Sequence, residues 1–152
     1  MRRAVALAFA IPCLFLGAPV WSGRADDMVD AREQVFRTEA EKAFILDQMR
    51  LLLNSITEIE DGLGTGDMGL VAREAAARGR KANLTLARPP SLAAKESEAW
   101  KLMFLSVRNG FDALADQARA NAPAATINKS LADIMRNCVA CHQTYRIEVK
   151  AQ

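Results

Sequence analysis

The stretch INKSLADIMRNCVACHQTY, residues 127–145, carries two patterns at once. Ile127, Leu131, Ile134, Cys138, Cys141 and Tyr145 step by four, three, four, three and four, the spacing of an apolar seam along a helix. Inside that seam lies Cys138-Val139-Ala140-Cys141-His142, the CxxCH spacing of covalent c-type haem attachment. The spacing has a chemical reason. One helical turn sets the two thiols on one face, within reach of the two vinyl groups on one edge of a porphyrin. The imidazole that follows reaches toward iron at the centre. His142 is the only histidine in the chain, so it is the candidate proximal iron ligand.

Other uses of two cysteines fit less well. A thioredoxin-like redox pair needs a preceding strand and a cysteine at a helix N-terminus. Here Thr126 to Arg136 reads as helix running straight into the motif, with no strand expected anywhere before it. A structural zinc site needs four ligands, more than this motif supplies. A disulfide suits an oxidising compartment but leaves His142 without a role. Ten residues follow His142, so a sixth ligand or a distal wall is expected from the chain before the motif.

The N-terminus indicates the compartment. Arg2 and Arg3 precede an apolar stretch from Ala4 to Val20, broken by Pro12 and Pro19, and small residues then lead to a cut after Ala25. The apolar run is short and proline-broken for a membrane span. Ile11-Pro12 before Cys13 lacks the small residues of a lipid-attachment site. The expectation is a signal peptide over residues 1–25, export to a bacterial periplasm, and one mature domain over residues 26–152. Cleavage moves the formal net charge from +2 to −1, which leaves no basic excess for nucleic acid or an anionic membrane.

The mature part reads as four helices, an all-α antiparallel bundle with short connections. The first is expected from about Val29 to Asp61, its seam Ile45, Met49, Leu52, Ile56, Ile59 and Leu63 widened by Leu46 and Leu53. Gly62, Gly64 and Gly66 end it, and Asp67 caps a second helix that stops before Pro89-Pro90. Ser91 is the expected cap of the third, where Trp100, Met103, Phe104, Val107, Phe111, Leu114 and Ala118 share a face. Pro123 precedes the fourth. Gly64-Thr65-Gly66-Asp67-Met68-Gly69 matches GxGxxG, but it follows a helix and reads as a helix–helix turn. The glycosylation patterns at Asn83 and Asn128 both fall in expected helices and read as chance. Arg73, Arg78, Arg80, Lys81 and Arg88 form a basic second-helix face, read as exposed charge or a docking surface for an acidic redox partner.

A helical bundle ending in Cys138-Val-Ala-Cys141-His142-Gln-Thr-Tyr145-Arg146 resembles the class II c-type cytochromes, the cytochrome c′ and c556 family. The likeness includes the first-helix pattern, the turn from Gly62 to Asp67, and Trp100 on the third helix. The short linker at Pro89-Pro90 and an acidic segment before the first helix depart from that pattern.

The resemblance implies one covalent haem c with its iron near the C-terminal helix, in a protein that is not an enzyme. It implies two forms. A first-helix methionine as sixth ligand gives an electron carrier working with periplasmic redox partners. An apolar residue there leaves five-coordinate iron open to small gases such as nitric oxide and carbon monoxide. Matching the glycine turn puts Leu46 at the distal position with Met49 one turn on, Met49 reading otherwise as a core residue. Met103 is a more remote candidate, and Met135 lies on the motif's own helix. Lys42, Tyr145 and Arg146 are expected around the haem, Lys42 near a propionate, and a homodimer through the first two helices is implied.

Overall fold

The computed structural model describes residues 30–149, so the expected signal peptide, with Cys13, lies outside the described residues. The chain there is predominantly helical, with one small sheet. Helices α1 (Glu39–Thr65), α2 (Met68–Arg78), α3 (Arg80–Leu84), α4 (Glu98–Arg119) and α5 (Ala124–Thr144) are flanked by strands β1 (Glu33–Arg37) and β2 (Tyr145–Val149).

The strands correct the expectation of helix alone. Helix α1 starts ten residues later than the expected Val29, because Thr38-Glu39-Ala40-Glu41 is a capping box. The Thr38 hydroxyl accepts from the Glu41 N–H (3.2 Å), and the Glu41 carboxylate accepts from the Thr38 N–H (2.8 Å). The residues before the cap pair in parallel with β2, Glu33 opposite Tyr145 and Arg37 opposite Val149. Tyr145 keeps the helical step of the seam in sequence, yet it ends α5 and begins β2.

Gly66 closes α1 in the left-handed region (φ 76°), which glycine adopts without a Cβ clash, and the Asp67 carboxylate accepts from the Leu70 N–H (2.8 Å) to open α2. The expected second helix is two helices. At Gly79 the backbone turns extended, and a Cβ there would run into the Asp112 carboxylate of α4, which instead accepts from the Arg80 N–H (2.9 Å). Ser91 does not cap the next helix. Its hydroxyl donates to buried Glu41 (2.5 Å), a 3-10 turn follows at Ala93–Lys95, and Ser97 caps α4 by accepting from the Trp100 N–H (3.2 Å).

The principal pairings are α1 on α2, α2 on α4, and α4 on α5. Their core joins Ile59, Phe111, Leu114, Ile127, Leu131 and Ile134 of the sequence seams with Val71 and Ala75 of α2. Helices α4 and α5 pack tightly at Gly110, where an added Cβ would stand 2.6 Å from Ile134 Cγ1. Leu46 and Leu53 do not widen the buried stripe. They are 39% and 65% exposed, and the buried stripe widens instead on the other edge, through Gln48 and Ser55.

Candidate functional site

Helix α5 carries the motif in its last two turns, so Cys138 and Cys141 lie one turn apart and His142 sits three residues before the first residue of β2. Both thiols are free and partly buried. The Cys138 thiol points back along the helix toward the Ile134 carbonyl (3.8 Å). Burial pushes both thiols above their ordinary range, and the neighbouring Cys138 adds to the rise at Cys141. A redox-active CxxC begins at a helix N-terminus, where the helix dipole favours thiolate; this one sits at the opposite end. Strand β1 precedes the motif in the chain, contrary to expectation, but it does not lead into α5.

Among the described residues, two cavities meet the motif. The larger, of about 280 Å3, is walled by Ile45, Leu46 and Met49 of α1, Trp100 of α4, Cys141 and His142 of α5, and Tyr145 and Ile147 of β2. Arg32, Lys42 and Arg146 stand on it as cations. The smaller, of about 30 Å3, is bounded by Met49, Leu52, Met103, Phe104, Val107, Asn137, Cys138, Cys141 and His142. Met49, Cys141 and His142 therefore border both. Met135, at 43% exposed, borders neither.

The residues expected around the haem thus converge on one region: Lys42, Leu46, Met49, Cys141, His142, Tyr145 and Arg146 around the larger cavity and Cys138 on the smaller. Sequence reasoning did not supply Arg32, whose Nη1 donates to the His142 carbonyl (3.2 Å), nor Arg37 beside Trp100. Trp100 is the hub there. Its ring lies 5.5 Å from Phe104 and 5.2 Å from Tyr145, with the Arg37 guanidinium 5.5 Å from its centroid. Phe104 stands one turn further along α4, whereas Arg37 and Tyr145 come from the parallel strand pair, which no local pattern announces.

The donor set distinguishes between groups the site could hold. Among the described residues no three His, Cys, Asp or Glu side chains are gathered to hold a bare metal ion. Two thiols and one imidazole beside an apolar wall with a cationic rim fit a flat apolar macrocycle bearing carboxylates, and a covalent haem is such a group. Val139 and Leu46 are exposed beside the motif, apolar surface of the kind such a macrocycle covers. No family model, curated protein or solved structure matches this chain.

Proposed function

We propose that this chain is an exported c-type cytochrome of class II character, passing single electrons through one haem held by Cys138, Cys141 and His142. The observation that carries the reading is the CxxCH motif in the last turns of α5 facing a cavity closed by the first turns of α1. Haem iron, when bound, supplies the one-electron couple, its potential governed by axial ligands and surroundings.

The chain's own residues do the holding. The Cys138 and Cys141 thiols tether the porphyrin edge as thioethers, and His142 offers an imidazole nitrogen to the iron. Met49, bordering both cavities beside His142, is the residue best positioned on α1 to offer a thioether sulfur. Trp100, Tyr145 and Ile45 are buried and keep water from the inner wall. Lys42, Arg32 and Arg146 suit propionate carboxylates at the rim. In this reading α1, α2, α4 and α5 act as an antiparallel four-helix bundle with haem near the C-terminal helix. Residues 1–25 direct export to a periplasm; among the described residues no helix is long and apolar enough to cross a membrane.

A second reading has its own observation. Leu46 also lines the larger cavity and presents an apolar wall there, which suits five-coordinate iron that binds nitric oxide or carbon monoxide.

The test is attachment. The parent protein, produced with a c-type haem maturation system, should keep its haem through acidified organic solvent. The Cys138→Ala/Cys141→Ala variant should release it. Haem released from the parent, or no haem acquired at all, refutes the assignment.

A further inference from the structure

A third cavity, of about 210 Å3, lies between α1, α3, α4 and the connection from Leu86 to Glu96. Among the described residues no cysteine or histidine lines it; Ile45, Trp100 and Phe104 form the wall it shares with the motif cavities. Four cations, Arg80, Arg88, Lys101 and Arg108, border it against one carboxylate, Glu96. That carboxylate is already engaged by Arg88 Nη2 (2.6 Å).

Arg108 is the unusual member. Its residue is only 6% exposed, and its Nη1 donates to the Arg78 carbonyl (2.8 Å). Its Nε is buried without a hydrogen-bond partner, and among the described residues the guanidinium forms no ion pair. A buried guanidinium stays charged and is costly to keep without a counter-anion. Burial, and then Arg78 and Arg88, lower the Arg108 pKa, so the surrounding field is positive as well.

We propose that this cavity binds a small monocarboxylate with an apolar body, its carboxylate on Arg108 and its body against Leu86, Leu92 and Phe104. A planar carboxylate matches the guanidinium fork. The apolar wall gives the rest of the ligand a place that inorganic anions cannot use. A cavity of about 150 Å3 takes up benzene, so this one has room for a single ring or short chain beside the acid group. Binding needs no contact with the iron, and the inference stands independently of the haem assignment.

The experiment is titration calorimetry of the full haem-loaded protein with 3-phenylpropanoate, its neutral match 3-phenylpropan-1-ol, and inorganic phosphate, with the absorption spectrum followed in parallel. We expect one saturable site for the carboxylate and at least about tenfold weaker binding of the alcohol, the loss typical of a charged hydrogen bond. The haem spectrum should not change. Arg108→Met should abolish the site, and the exposed Arg80→Gln should weaken it severalfold and lessen its salt dependence if Arg108→Met fails to fold. Equal affinity for the alcohol, equal affinity for phosphate, unchanged affinity in the variants, or a spectral shift marking binding at iron would each overturn the proposal.

Discussion

Glu41 is the most consequential carboxylate for the architecture around the motif, and its removal has a calculable signature. Its side chain is 1% exposed and accepts from the Thr38 N–H, the Ser91 hydroxyl and the Lys95 ammonium, the last at 2.8 Å to both oxygens. It thus joins the start of α1, one residue before Lys42, to the connection that leads into α4. The Lys95 bond, then those of Ser91 and Thr38, hold its pKa down from 4.5 to about 2. At about 1.36 kcal/mol per unit this corresponds to about 3 kcal/mol of folding free energy. Lys95 is 38% exposed and its charge partly screened, so about 2 kcal/mol is the better figure. The sign follows from proton binding. A depressed carboxylate contributes fully above its unfolded pKa, and the contribution is lost as pH falls from 4.5 toward about 2. Glu41→Gln should therefore lower the urea midpoint at pH 7 by roughly 1 M for a slope of about 2 kcal/mol/M. Urea unfolding followed by far-ultraviolet circular dichroism from neutral to acid pH reads both effects. The difference between parent and variant should shrink below pH 4.5 and vanish near pH 2. No loss at neutral pH, or a loss that persists unchanged into acid, refutes the reasoning.

Three further outcomes bear on the site. Met49→Leu, nearly isosteric, should convert low-spin to high-spin iron, lower the reduction potential and raise carbon monoxide binding, all read by absorption and potentiometry; an unchanged spectrum favours the Leu46-walled, gas-binding form. Gly110→Ala should cost about 1–3 kcal/mol in urea unfolding, because its Cβ would stand 2.6 Å from Ile134, one helical turn before Cys138. Protein without haem should melt lower and show less helix by circular dichroism than the loaded protein, since the apolar walls at Leu46 and Met49 then face a gap; equal melting would count against a buried macrocycle.

How far the residues announced these features depends on the range of the interactions concerned. Ile59, Phe111, Leu114, Ile127, Leu131 and Ile134 repeat at helical spacing and are buried, because one helix face meets one neighbour. The Gly66 and Asp67 turn is equally local. Ser91 and Ser97 look alike as caps, but it is Ser97 that accepts from the Trp100 N–H, while the Ser91 hydroxyl donates to Glu41, fifty residues away. Residues 33–37 have no strand alternation to read; they are extended because Tyr145–Val149 supplies backbone partners from the far end of the chain. The capping box at Thr38 was legible and marks the true start of α1. Arg108 falls within a stripe of apolar residues where a cation reads as a solvated edge, so its burial is visible only once α3 folds over α4.

The parallel pairing also explains how the two walls of the motif cavity come to face each other. Helices α1 and α5 are not among the principal packing pairs, so helix packing alone leaves their relative position loosely determined. Strand β2 begins three residues after His142, and β1 ends one residue before the Thr38 cap. Pairing Glu33 with Tyr145 and Arg37 with Val149 therefore ties the end of α5 to the start of α1 in a fixed register. Arg32, just ahead of β1, then reaches the His142 carbonyl, while Tyr145 and Arg37 close on Trp100 from the two strands. The first turns of α1, with Lys42, Leu46 and Met49, are thereby held opposite Cys141 and His142. A ten-residue sheet is a small element, but its register is what brings the candidate distal residues to the cavity that the motif lines.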